Sequence, residues 1–370
     1  MNKHRLVKEF CNLVSIDAPS FHERKIANVL KKYLEELGFD VYEDHANEIY
    51  NSECGNIYGY LEGTMEGAPI LFSAHMDTVE PSRGKKAIIE EGGRIVSDHS
   101  TVLGADDVSG IVAILEAIRG LKEDKKEHRS IEVLFCIAEE PYLRGSEVFD
   151  YSRIKAKEAY VLDLSGPVGG IAYLAPTVLM LTAQIEGKAS HAGFAPEKGI
   201  NAIAIASQAI SKLQLGRLDE ETTANIGLIE GGLATNIIPE KCTVKGEIRS
   251  CNHEKAVAQA EFMKQKFIDT AEEMNGKCEA SIFQGSVAYE VPTNHAVIQR
   301  FNKACNELGI DIELQKTFGG SDNNNFMLHG ITGCVIACGM NAVHSTSEYS
   351  SVDELVRITQ ITEKLMTSRE

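Results

Sequence analysis

An almost unbroken apolar run, Ile131-Glu-Val-Leu-Phe-Cys-Ile-Ala138, ends directly on two consecutive glutamates, Glu139 and Glu140. A run of this kind, rich in β-branched and aromatic residues, predicts a strand buried on both faces, which requires a sheet covered by helices. Ala159-Tyr-Val-Leu162 has the same character, and Pro69-Ile-Leu-Phe-Ser-Ala74 reads as a third strand. Between them Val108, Ile111, Val112, Leu115 and Ile118 recur at helical spacing, so strand, helix and strand alternate as in an α/β sheet. Two helices precede this part. The spacing predicts that the second starts at a capping box, Ser20-x-x-Glu23, and runs through Val29, Leu30, Tyr33, Leu34 and Leu37 to Gly38.

The pattern changes near Leu179. Strand (Leu179–Ile185), helix (Asn201–Leu213), strand (Thr223–Ile229), strand (Cys242–Arg249), helix (His253–Met274) and strand (Glu279–Ser286) follow one another, a β-α-β-β-α-β order that suits a ferredoxin-like domain. The α/β character then returns with an apolar strand at Cys334–Cys338 and a closing helix from Ser351-x-x-Glu354. A chain of 370 residues is long for one core. The expected organisation is therefore a discontinuous domain, 1–177 with 289–370, carrying an inserted domain at 178–288.

A formal charge of −17 would repel a phosphate backbone, which argues against nucleic acid as a partner. No apolar run approaches the roughly 20 residues that cross a bilayer, and the start lacks the apolar core of a signal peptide, so a cytoplasmic protein without a membrane partner is expected. The nine cysteines are scattered without a close CxxC pair and read as reduced, mostly buried thiols.

Five acidic or histidine-bearing motifs carry the chemistry, four at strand ends and the fifth in a loop soon after one. Ligands of open α/β sheets bind beyond the carboxyl ends of strands, so such residues can converge there. In Ser73-Ala-His75-Met-Asp77, residues two apart share a side, which lets Asp77 hold one nitrogen of His75 while the other binds a metal. Leu103-Gly-Ala-Asp106-Asp107 precedes a helix; its carboxylates can cap that helix or bridge cations. Glu139-Glu140 places two charges beside an apolar run, where they need partners. Asp163 and His344 are weak signals singly.

In this order the motifs resemble the M20 family of dinuclear zinc peptidases and amide hydrolases, with peptidase T-like members nearest, over essentially the whole chain. The resemblance implies an α/β fold: a zinc-peptidase-like catalytic domain with helices around a mixed sheet, and the ferredoxin-like insertion as a lid. It implies that His75, Asp106 and Asp163 hold one metal and that Asp106, Glu140 and His344 hold the other. Asp77 would orient His75, Glu139 would be the general base, and the Asp106–Asp107 peptide would be cis. Oxygen and imidazole ligands without thiolate fit zinc, and also cobalt or manganese. Two divalent ions carry four charges, three ligand carboxylates remove three, and a bridging hydroxide would balance the last.

In the insertion, Gly187-Lys-Ala-Ser190-His191-Ala-Gly193 resembles the family's lid motif, whose histidine stabilises a developing oxyanion. In some members that histidine comes from a partner subunit, which leaves room for a homodimer through the lid. Asn236 and Arg249 match substrate-binding positions, Arg249 as a carboxylate clamp. Phe318-Gly-Gly-Ser-Asp322 resembles the glycine-rich substrate loop, with Gly320 and Ser321 as contacts. Two departures bear on specificity. Phe318 stands where the tripeptidase form has arginine, and Pro141-Tyr142 follows Glu140 where relatives have a small or apolar residue and glycine. The expected activity is hydrolysis of a peptide bond in di- or tripeptides from the amino end. The alternatives are deacylation of N-acyl amino acids by the same chemistry and, in another class, a binding protein that keeps the fold.

Overall fold

The run at Ile131 forms the strand Ile131–Cys136 inside a mixed sheet of a computed structural model that describes residues 1–369. Strands Ile131–Cys136, Ile70–His75, Glu158–Ser165 and Thr332–Met340 lie side by side in that order, all parallel. Ile57–Leu61 and then Asp40–Glu43 extend one side antiparallel, and Gly170–Ala175 with Glu313–Lys316 extends the other. Four carboxyl ends therefore open at one edge, where four of the five motifs stand; Asp106-Asp107 does not follow a strand of this sheet as expected but opens a helix. Glu132, inside the apolar run, is fully buried but satisfied: it accepts from the Tyr58 hydroxyl and from the N–H groups of Lys155 and Ala156.

The Ala105–Glu123 helix is buried almost all round, because it packs between the sheet and the helices Lys3–Val14 and Val352–Met366. Its close approach depends on Gly110, where a Cβ would stand 2.5 Å from the Leu162 carbonyl oxygen. That contact brings the start of the helix beside Asp163. On the opposite face of the sheet, Leu71, Leu134, Val161 and Val335 pack with Phe326 and Ile331. This unit comprises Met1–Leu174, Glu290–Thr317 and the chain from Ser321 onward.

The second unit comprises Ala175–Tyr289 and Phe318–Gly320. Its long strands stand in the order Thr222–Gly231, Lys241–Ser250, Thr177–Glu186, Lys277–Ser286, all antiparallel. In order along the insertion these are strands two, three, one and four, the ferredoxin-like arrangement. Helices Ala202–Ser211 and His253–Glu273 bury Ile205, Ala209, Met263 and Phe267 against the sheet. All nine cysteines are free, and no helix among the described residues is long and apolar enough to cross a membrane.

Two local expectations change. The capping box at Ser20-x-x-Glu23 does not form. The helix is Arg24–Glu36, and its first residues lack a side-chain cap. Ser20 instead donates to the Asp77 carboxylate at 2.7 Å, and buried Glu23 accepts the Ala138 N–H at 3.0 Å. Tertiary partners at the sheet edge, an acceptor for Ser20 and a donor for Glu23, have displaced a local cap. Asp163 lies within its strand rather than after it, since Glu158–Ser165 runs three residues beyond Leu162.

Candidate metal centre

His75 is the last residue of its strand and almost wholly buried; Asp77 follows it and is fully buried. Asp106 and Asp107 open the Ala105–Glu123 helix in non-helical conformation, and the peptide between them is cis. Glu139 and Glu140 turn off the end of Ile131–Cys136, and the Leu143 N–H closes that turn on the Glu139 carbonyl at 2.6 Å. His344 stands on the loop between Asn341 and Tyr349, two residues that exchange backbone hydrogen bonds of 2.9 and 3.0 Å.

Five residues converge in two donor groups, His75–Asp106–Asp163 and Asp106–Glu140–His344, each with one ligand atom per residue and all within 4.8 Å of one another. Asp106 belongs to both. Its Oδ1 lies 3.0 Å from His75 Nε2, and its Oδ2 lies 3.4 Å from His344 Nε2. Asp163 approaches His75 Nε2 at 3.7 Å, and Glu140 approaches His344 Nε2 at 3.0 Å. His75 Nδ1 bonds the backbone carbonyl of Asp77 at 2.9 Å, closer than the Asp77 carboxylate at 3.4 Å. That carboxylate accepts the N–H groups of Glu139 (2.9 Å) and Glu140 (3.3 Å), so it holds the glutamate turn as well as the imidazole.

Burial dominates the electrostatics of the site. Burial pushes the Glu139 carboxyl well above its ordinary range, and Asp163 adds to this; burial likewise lifts Asp163 to about 7. Burial opposes charging His75, but Asp106, Asp163 and Asp77 outweigh it and hold the imidazole well above its usual value. Hydrogen bonds to Asp106 and Glu140 lift His344 to about 10. Among the described residues, the carboxylates of Asp77, Asp106, Glu140 and Asp163 form ion pairs only with these two histidines, and those of Asp107 and Glu139 form none. Glu140 Oε1 is buried without a hydrogen-bond partner. Buried carboxylates of this density, with one oxygen orphaned, are the donor set of a divalent cation rather than a self-contained network. Cys338 Sγ is engaged by the Leu162 carbonyl at 3.2 Å and belongs to neither group.

A stability test follows. Zinc at about 100 times its dissociation constant should add about 2.7 kcal/mol to the unfolding free energy of chelator-stripped protein. A thermal melt reads this as a rise in Tm. A Tm indifferent to zinc, cobalt and manganese alike contradicts the cation reading.

Supporting residues were less visible in the sequence. Asp107 is fully buried and accepts the N–H groups of His75 and Gly110, both at 3.2 Å. Glu348 accepts from Gly104 and Asp106. Neither role has a local signature, although the paired aspartates of Gly104-Ala-Asp106-Asp107 were a signal for the first.

In the second unit His191 is exposed, and its Nδ1 accepts from the N–H groups of Gly193 and Phe194, both at 3.1 Å. The Ala192 N–H bonds the Asn236 carbonyl at 3.0 Å, which places Asn236 beside the His191 loop. Arg249 is engaged. It pairs in bidentate fashion with Glu247 at 2.6 and 3.0 Å and donates to the Phe318 carbonyl at 2.5 Å. Arg217 lies over the Phe318 ring at 5.0 Å. In the first unit Ser321 is buried, and its N–H bonds Asn324 Oδ1 at 3.0 Å at the start of the Asp322–Leu328 helix, a capping position.

A family profile described as a peptidase dimerisation domain matches residues 177–275, and one for peptidase family M28 matches 56–200. The uncharacterized protein YqjE of Bacillus subtilis is 42% identical over 98% of this chain and 97% of its own length. The crystal structure of aminopeptidase PepT from Bacillus cereus superposes with a TM-score of 0.90 at 40% identity, covering 99% of this chain and 98% of that one. That of a tripeptidase from Staphylococcus aureus gives 0.95 at 33% identity, with the same coverage. The chain belongs to the M20 peptidase family, in its peptidase T-like branch. It is therefore an enzyme of the metal-dependent hydrolase class.

Proposed function

We propose that this enzyme hydrolyses the first peptide bond of short peptides, di- or tripeptides with a free amino end, using two divalent ions, zinc in preference to cobalt or manganese. The observation that carries the reading is the pair of donor groups sharing Asp106, with Glu139 beside them and outside both. His75, Asp106 and Asp163 would hold one ion, and Asp106, Glu140 and His344 the other. When bound, such ions polarise a carbonyl and acidify a water. Glu139, held by Asp77 through its own N–H, takes the proton of the attacking water and delivers it to the departing amine. Beside bound cations Glu139 would be held in its ionised form, against the upward push of burial. His191 donates to the developing oxyanion, and Asn236 and the Gly320 backbone position the substrate.

The dimer is part of the proposal. Among the described residues, Thr222–Gly231 is paired on its outer side only at Thr223 and Ala224, by the short Gly216–Arg217 strand, and beyond that it exposes Leu228 and Ile229. An exposed apolar edge is a template for a second copy, in keeping with the dimerisation profile matched here.

The test is metal content by elemental analysis, followed by hydrolysis of free peptides, their carboxyl-amidated forms and N-acetyl amino acids. Free peptides should be cut fastest. Faster release from N-acetyl amino acids would reassign the enzyme as a deacylase. Amidation should lower kcat/KM if Arg249 leaves Glu247 to clamp the substrate carboxylate, and Arg249→Ala should erase the difference. An enzyme indifferent to amidation returns Arg249 to its pair with Glu247.

A further inference from the structure

The two histidines of the donor groups are anchored in different ways. His75 is 2% exposed, and its second nitrogen is tied to the Asp77 carbonyl at 2.9 Å, which fixes the ring by itself. The His344 side chain is 53% exposed, its backbone is left-handed at φ 60°, and its Nδ1 has no hydrogen bond among the described residues. The polar contacts of the ring are with Glu140 and Asp106 at Nε2, the ligands themselves. The ring's position depends on the Asn341–Tyr349 loop, and besides His344 itself Glu348 ties that loop to the shared ligand. Glu348, four residues after His344 and 1% exposed, accepts the Gly104 N–H on Oε2 at 2.8 Å and the Asp106 N–H on Oε1 at 2.9 Å.

We propose that Glu348 is the positioning residue of the second metal site: by joining the His344 loop to the backbone of Asp106, it sets the affinity of the Asp106–Glu140–His344 group without touching an ion. The proposal rests on the two-ion reading above. Each oxygen is engaged by one backbone N–H, so the carboxylate is a clamp with two fixed ends. The first site needs no such clamp, since His75 and Asp163 stand on adjacent parallel strands. A further tie of the loop, His99 Nδ1 to the Thr346 carbonyl at 2.8 Å, is at the surface and does not involve Asp106.

The experiment strips the full-length protein with a chelator and titrates zinc against a competing chromophoric chelator. Wild type, Glu348→Gln, Glu348→Asp and His344→Ala are compared, with Tm of the metal-free forms measured alongside. Gln keeps the size but turns an acceptor into a donor facing an N–H; Asp keeps the charge but shortens the reach. Glu348→Gln should weaken the second ion by about 10–100-fold and change the first by less than about threefold, approaching His344→Ala. Glu348→Asp should fall between it and wild type. Excess zinc should restore hydrolysis to Glu348→Gln, an outcome that general loss of structure would not give. Equal weakening of both ions, or none, in folded variants overturns the proposal while leaving the two-ion reading intact. A wild type that takes up a single ion overturns both.

Discussion

Glu139→Gln is expected to cut kcat by about 10²–10⁴ while metal content stays at the wild-type value. The substitution is nearly isosteric, and Glu139 belongs to neither donor group, so the ions lose no ligand. Its backbone N–H still reaches Asp77, so the turn that presents Glu140 is retained. What disappears is the capacity to accept a proton. The measurement is paired: steady-state hydrolysis and elemental analysis on one preparation. Loss of metal along with activity would make Glu139 a ligand, and unchanged turnover would remove it from the mechanism.

Asp106→Ala should have the largest effect of any single change. Its two oxygens face the two groups separately, Oδ1 toward His75 and Oδ2 toward His344, so one substitution removes a donor from both. Partners that merely orient a ligand are worth about 10–100-fold in metal affinity, and loss of a shared ligand should exceed that at each site. The variant should be isolated essentially without metal and without activity. His344→Ala, by comparison, should retain one ion, because the His75 group does not include it. Retention of both ions in Asp106→Ala would show that Asp106 is not the bridge.

Much of this was legible in the sequence, for a definite reason. Strands buried on both faces produce long apolar runs, and charges at the ends of such runs stand out; Glu139-Glu140 after Ile131–Ala138 is the clearest case. The inserted sheet was legible because period-two and helical patterns follow one another from Thr177 to Ser286. What stayed hidden were side chains whose partners lie far along the chain. Ser20 and Glu23 have capping-box spacing, and only the folded sheet edge reveals that Asp77 and the Ala138 N–H compete for them successfully. Glu348 looks like one more acidic loop residue until the chain brings Gly104 and Asp106 to it across more than 240 residues of sequence. Arg249 has the composition of a clamp, but the Glu247 two residues before it, which engages it in the fold, does not distinguish itself in the sequence from any other strand glutamate.

The central claim is that hydrolysis depends on cations held by the two groups that share Asp106. Chelator-stripped protein should be titrated with zinc while hydrolysis of an unmodified tripeptide is followed by product analysis. The account predicts no hydrolysis in the stripped protein, recovery that saturates at two equivalents of zinc, and a free amino acid from the amino end with a dipeptide as products. Hydrolysis that survives complete stripping, or a protein that binds both equivalents and cuts neither peptides nor N-acyl amino acids, would contradict it.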